Sequence, residues 1–188
     1  MTSLGLIVTF EEHMRPFPKS ATPDSESTVV YRQPRVVDGS RIHQIAEDSK
    51  VLDTNTPYAY VLWCHDFAET SVVAEIDGRT VGFVTGYLRP TEPSTVMVWQ
   101  VAVDEQARGK RVAAGLLHSL LDAVAPRGVH TLTTTISPDN EASQRLFASV
   151  AKARGMSFTR DPLFSASDFT LGDAPADHQP EDLYTLAP

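Results

Sequence analysis

The segment 95–103 reads TVMVWQVAV, with no charged side chain and only Thr95 and Gln100 as polar residues. A strand this apolar has no face to give to water, so it belongs in the middle of a sheet covered on both sides. It stops at Asp104 and passes through a turn holding Gly109 into a helix from about Lys110 to Val124. There Leu116, Leu117, Leu120 and Leu121 fall on one face. A buried strand feeding an amphipathic helix limits the chain to the α/β or α+β architectures, in which helices cover a sheet.

The flanking segments supply the rest of that sheet. Thr28–Arg32 is β-branched and aromatic and predicts a strand. Asp38-Gly39-Ser40 precedes Ile42, Ile45 and Ala46, the start signal and spacing of a capped amphipathic helix. Pro57 suits the first turn of a second helix over Tyr58–Phe67, with positions 58, 61, 62 and 65 as its expected apolar face. Ser71–Ile76 and Thr80–Tyr87 flank the hairpin signal Asp77-Gly78, and Pro90 and Pro93 mark a loop. Val129–Ile136 predicts another strand, and Pro138-Asp139-Asn140 opens a helix that Gly155 closes after Arg154. Ser157–Arg160 and Asp182–Leu186 complete the pattern as short strands. The expected order is β-α-α-β-β-β-α-β-α-β-β: one mixed, mostly antiparallel sheet flanked by helices, in a single domain over residues 28–188. Residues 1–27 carry Pro16, Pro18 and Pro23 without a sustained period and read as a flexible N-terminal segment.

Charge narrows the function. The chain of 188 residues holds 16 Lys and Arg against 24 Asp and Glu, a net charge of −8. That balance argues against nucleic acid as the main partner, because phosphate binding needs a basic face. No apolar run approaches the ~18 residues of a membrane span. The single cysteine, Cys64, excludes an intrachain disulfide, and no basic start precedes the apolar patch at Leu4–Val8, so the cytoplasm is the expected compartment. His13, His43, His65, His118 and His130 have no metal-ligand spacing, and no metal is expected. Against this acidic background, Gln106–Ala113 contains Arg108, Lys110 and Arg111 and no acid. A helix start with free N–H groups, a glycine and three bases suits a bound anion; a solvated basic helix start is the plainer alternative.

The stretch Val101-Ala102-Val103-Asp104, followed by Gln106-Ala107-Arg108-Gly109-Lys110-Arg111-Val112-Ala113, resembles the acetyl-CoA motif of the GNAT N-acetyltransferases, Gln/Arg-x-x-Gly-x-Gly/Ala. Arg111 stands where Gly or Ala is usual. Asn140–Phe147 resembles that family's Asn-x-x-Ala-x-x-Leu-Tyr helix, with Phe147 in place of the tyrosine. Four further stretches (52–60, 70–75, 81–87 and 98–103) and the closing 178–184 are similar to the diaminobutyrate acetyltransferase family of ectoine biosynthesis. The resemblance runs in the same order from Val29 to about Leu186. It implies a GNAT fold, acetyl-CoA as co-substrate, L-2,4-diaminobutyrate as acceptor through its 4-amino group, no metal, and a homodimer. It places the cofactor on Val101, Val103, Arg108, Gly109, Lys110, Arg111, Val112, Ala113 and Asn140. A backbone N–H near Val101–Val103 would face the developing oxyanion.

Individual residues keep a plainer reading beside that one. Asp53, Asn55 and Tyr58 precede or open a helix, where capping is common; the resemblance makes them substrate ligands. Trp99 is either core or a pocket wall whose indole holds an ammonium. Phe147 cannot protonate a leaving thiolate. Glu75, Asp161, Asp168, His178 and Glu181 are candidates for the base that deprotonates the amine, and His178, Glu181 and Asp161 are kept as the leading three. Cys64 reads as a buried helix residue. Leu183–Leu186 offers an apolar strand for pairing across an interface. Two alternatives remain: a GNAT enzyme for another small amine, and a non-catalytic acyl-CoA-binding module.

Overall fold

The computed structural model describes residues 28–170 and 178–188. The expected flexible segment 1–27 lies outside the described residues. In chain order the elements are β1 (Val30–Arg32), α1 (Gly39–Ser49), α2 (Pro57–Asp66), β2 (Val72–Ile76), β3 (Arg79–Arg89), β4 (Glu92–Val103), α3 (Val112–Val124), β5 (Thr131–Ile136), α4 (Glu141–Arg154), β6 (Ser157–Phe164) and β7 (Glu181–Ala187). The order is the one expected. The strands form one sheet, β1-β2-β3-β4-β5-β7-β6, in which β4 and β5 are parallel and all other neighbours antiparallel.

Helices cover both faces. On one side Leu116, Leu117 and Leu120 of α3 and Phe147 of α4 pack against Val84, Val96, Val98 and Leu132. On the other, Ile42, Ile45 and Ala46 of α1 and Tyr60 and Cys64 of α2 pack against Val73, Phe83 and Ala102. Each such Leu, Ile or Phe contributes about 1.5–3 kcal/mol on burial. Burial also pushes the Cys64 thiol up to about 11, so it is an inert core group. No helix among the described residues is long and apolar enough to cross a membrane.

Several expectations are corrected. Asp38 makes no capping bond to α1; its carboxylate accepts from the Arg32 guanidinium, the Arg35 N–H and the Thr80 hydroxyl. Burial opposes its charge, but these donors hold its carboxyl below the usual range. The buried residues of α2 are Tyr60 and Cys64, whereas Tyr58 is 72% exposed. The helix is apolar around most of its circumference, so its pattern could not select a face. β4 starts at Glu92 and includes Pro93, tolerated because pairing with β5 begins only at Thr95. β6 runs on to Phe164 as the sheet's exposed edge, where Pro162 sits opposite Asp182 beside a shift in register with β7. β7 lies between β5 and β6 with Leu186 fully buried, so Leu183–Leu186 has no free edge for another chain.

One irregularity shapes the centre of the sheet. Thr85 pairs with Gln100 and Gly86 with Val98, which leaves Trp99 as an extra residue in β4. Such a bulge bends its strand and resets the alternation of faces. Before it, Val96 and Val98 face the α3/α4 core; after it, Val101 and Val103 do, and Ala102 faces α1 and α2. Pairing between β4 and β5 stops at Val98–Thr134, although β4 continues to Val103 and β5 to Ile136. Two parallel strands therefore part at the bulge and open a gap in the sheet. Gly86 sits opposite this point, and a Cβ there would lie 2.8 Å from the Met97 carbonyl and 3.0 Å from that of Thr70. Gly86→Ala is expected to cost about 1–3 kcal/mol through this backbone clash, read as a lower denaturation midpoint at unchanged slope in urea unfolding.

Candidate active site

A cavity of about 440 Å³ opens where the strands part. Val98 and Val101 of β4 and Thr134 and Ile136 of β5 border the gap, with Asn140, the N-cap of α4, and Ser143 and Phe147 of α4 beside them. The α1–α2 loop contributes Asp53 and Asn55, β3 contributes Tyr87 and Arg89, and His178 and Glu181 come from the approach to β7 and its first residue.

The loop is fixed from below by a polar side chain in an otherwise apolar strand. Gln100 donates from Nε2 to the Asp53 carbonyl at 2.8 Å and accepts from the Tyr60 hydroxyl at 3.1 Å. That hydroxyl also accepts from the Asn55 N–H at 3.3 Å. Buried amides are costly unless bonded, so Gln100 and Tyr60 hold the loop against the sheet. Sequence reasoning did not single out Gln100; its polarity within TVMVWQVAV was the available signal.

Trp99 projects from the bulge, 50% exposed, with its ring stacked on Trp63 of α2 at 5.7 Å between centroids. One indole face is thus taken, and the residue lines the cavity.

His178 lies between two acceptors. Its Nδ1 is 2.6 Å from the Gln179 carbonyl and its Nε2 is 3.2 Å from Asp53 Oδ2, while the ring stacks on Phe169 at 4.0 Å. The Gln179 carbonyl first, and then the Asp53 and Glu181 carboxylates, raise its pKa, which favours an imidazolium donating from both nitrogens. Burial raises the pKa of Glu181, opposed by a hydrogen bond from Thr135 and by the charge of His178. A carboxylate held above its ordinary range in a cavity is suited to take a proton.

At the other end of the gap, Asp104 N–H donates to the Val81 carbonyl at 2.8 Å. Backbone groups alternate along a strand, so Ala102 also faces β3, while the N–H groups of Val101 and Val103 face the gap, past the last residue paired with β5. This open edge leads to α3. Arg111, left-handed at φ 59°, gives α3 no side-chain cap, and the first bond back is Gly115 N–H to the Arg111 carbonyl at 3.0 Å. The N–H groups of Val112 and Ala113 therefore point outward at the positive end of the helix. Among the described residues, no hydrogen bond or ion pair engages the side chains of Arg108, Lys110 or Arg111. The start of α4 differs: Asn140 Oδ1 caps the Ser143 N–H at 3.1 Å.

The cavity thus gathers Asp53, Asn55, Trp99, Val101, Asn140, His178 and Glu181. Val103 and Arg108–Ala113 stand beyond it along the open edge. Tyr58 projects outward from α2 and does not line the cavity, and Asp161 is exposed on β6 and does not line it either. Glu75 is paired with Arg32, and Asp168 with Ser165.

The profile of the Acetyltransferase (GNAT) family matches residues 39–151. An L-2,4-diaminobutyric acid acetyltransferase of Nocardia farcinica is 55% identical over 165 residues, 88% of this chain and 83% of its own. A protein of the same description from Streptomyces coelicolor is 53% identical over 158 residues, 83% of this chain and 91% of its own. The solved diaminobutyrate acetyltransferase of Paenibacillus lautus, in complex with its substrate L-2,4-diaminobutyric acid and coenzyme A, superposes with a TM-score of 0.79 at 36% identity. That match covers 86% of this chain and 96% of the other. The fold and the gap beside α3 define a GNAT acetyltransferase, and within that family the chain belongs to the diaminobutyrate acetyltransferases.

Gln100→Leu is expected to free the loop at Asp53–Asn55. Amide hydrogen exchange at Asn55 should speed up, and stability should fall by about 1–3 kcal/mol in urea unfolding.

Proposed function

We infer that the protein transfers the acetyl group of acetyl-CoA to the 4-amino group of L-2,4-diaminobutyrate, giving N4-acetyl-L-2,4-diaminobutyrate in ectoine biosynthesis. One observation carries the reading beyond the relatives. An open strand edge meets a cavity that holds both carboxylates and cations, the complement of a ligand with two ammonium groups and one carboxylate.

The residues fit the co-substrate. The outward N–H groups at the start of α3, with Arg108, Lys110 and Arg111, suit a pyrophosphate. The edge at Val103 and Val101 suits an extended chain with amide groups, which brings a thioester to the cavity. Asn140, the N-cap of α4, borders the same passage.

Glu181 takes a proton from the 4-ammonium, directly or through a water. The neutral nitrogen attacks the thioester carbonyl carbon, and the Val101 N–H stabilises the oxygen as it gains charge. The C–S bond then breaks, and the nitrogen gives up its second proton to water. With a thiol pKa near ~8.5, CoA leaves as a thiolate without help from Phe147 and is protonated afterwards. Asp53, Asn55 and Trp99 hold the rest of the acceptor, with the open face of the Trp99 indole toward its ammonium. Tyr58 is exposed on α2 and does not line the cavity, so it is not among these contacts. The same reading places the reaction in the cytoplasm and the enzyme in a homodimer; exposed Tyr58 and Leu62 on α2 support an apolar contact there.

The test is thiol release from acetyl-CoA on addition of diaminobutyrate, with NMR assignment of the product. Glu181→Gln is expected to lower kcat by about 10²–10⁴ while the KM for acetyl-CoA stays near the parent value. The reaction needs the carboxylate, so kcat/KM should fall as pH drops through the raised pKa of Glu181, and this acid limb should disappear in the variant. A variant with parental kcat and an unchanged acid limb removes Glu181 from the mechanism.

A further inference from the structure

We propose that Arg89 binds the carboxylate of the diamino acid and so makes the enzyme select an amino acid over a plain diamine; this rests on the proposed function. Arg89 ends β3 and is the one guanidinium among the described residues that line the cavity. Its side chain is 28% exposed, and its only ion pair among the described residues is with Glu92 at 3.9 Å, beyond hydrogen-bond distance. Other arginines have closer partners: Arg32, Arg127, Arg145, Arg154 and Arg160 each hold a carboxylate at 2.9 Å or less. A partly buried guanidinium with five donors and no close acceptor is suited to a bidentate anion. The other cation of the cavity, His178, already faces Gln179 and Asp53 with its two nitrogens.

The spacing agrees with this role. Gly86 stands opposite Val98 at the bulge, and Arg89 lies three residues or roughly 10 Å further along β3, where a register shift after Leu88 pairs it with Glu92. A guanidinium reaches about 6 Å back along the groove, and an extended diaminobutyrate covers about 6 Å from carboxylate to distal nitrogen. A ligand anchored on Arg89 therefore lies along β4 past Met97 and presents its 4-amino group where β4 and β5 part. The 2-amino group, next to the carboxylate, is held back from the thioester. Arg89 thereby also sets which nitrogen is acetylated.

The experiment compares diaminobutyrate with 1,3-diaminopropane, the same diamine without the carboxylate. Steady-state kinetics are run on the full-length parent, Arg89→Ala and Arg89→Lys, with folding checked by circular dichroism and thermal melting. Arg89→Ala should lose ten- to hundredfold in kcat/KM for diaminobutyrate and less than about threefold for diaminopropane, at an unchanged KM for acetyl-CoA. Arg89→Lys should fall between the two, because it keeps the charge and loses the fork. Where diaminopropane turns over too slowly, its inhibition constant against diaminobutyrate replaces kcat/KM. Equal losses for both amines, or no loss for diaminobutyrate in a folded variant, overturn the proposal. A parent enzyme that does not acetylate diaminobutyrate defeats the functional reading itself.

Discussion

The separation of β4 from β5 at Trp99 is the constraint on which the rest of this structure depends. Two parallel strands that stay paired leave no backbone groups for a ligand. Here pairing with β5 ends at Val98–Thr134, and β4 continues through Gln100–Val103 paired with β3 on one side only. The extra residue in the bulge does three things. It turns β4 away from its neighbour, it points Trp99 into the cavity, and it switches Val101 and Val103 onto the α3/α4 side with their N–H groups facing the gap. Gly86 permits the close approach of β3 that this geometry needs.

Charge is distributed to match. Buried and half-buried acids hold elements together in pairs, such as Asp38 with Arg32, Asp104 with Arg41, and Asp182 with Arg160. Cations without a close partner stand at the two places where the proposed ligands carry negative charge. Arg108, Lys110 and Arg111 surround the uncapped start of α3, and Arg89 lies at the far end of the cavity. Between them, Asp53 and Glu181 supply the negative charge that an ammonium requires. A ligand pair bound in this order has its thioester and its distal amine meeting at the bulge.

Much of this was legible in the sequence. The apolar run into the basic turn, the Asp77-Gly78 hairpin and the helix from Asn140 to Gly155 each rest on local signals that packing reinforced. The mixed, mostly antiparallel character of the sheet was expected from the succession of strands and helices, whereas the place of β7 between β5 and β6 rests on pairing between distant segments and has no local signal. The face of α2 was not legible, because Tyr58, Val61, Leu62 and Trp63 offer as much apolar surface as Tyr60 and Cys64; the choice is made by the Tyr60–Gln100 hydrogen bond across 40 residues. The full length of β6 was hidden because an exposed edge strand shows no alternation. Asp53, Asn55, Trp99, His178 and Glu181 were named from resemblance and come together in one cavity. Gln100 and Arg89 were missed, because one polar residue in a strand and one arginine before a proline carry no local signature of what they face.

The central claim is that the gap between β4 and β5 carries the thioester to a cavity that holds the diamino acid. A crystal structure of the chain with coenzyme A and L-2,4-diaminobutyrate tests it most directly. The account predicts the pyrophosphate on the N–H groups at the start of α3, the CoA sulfur at the gap near Val101, and the 4-amino nitrogen between that sulfur and Glu181. Coenzyme A bound away from the β4 edge, or the diamino acid with its 2-amino nitrogen toward the sulfur, would contradict it.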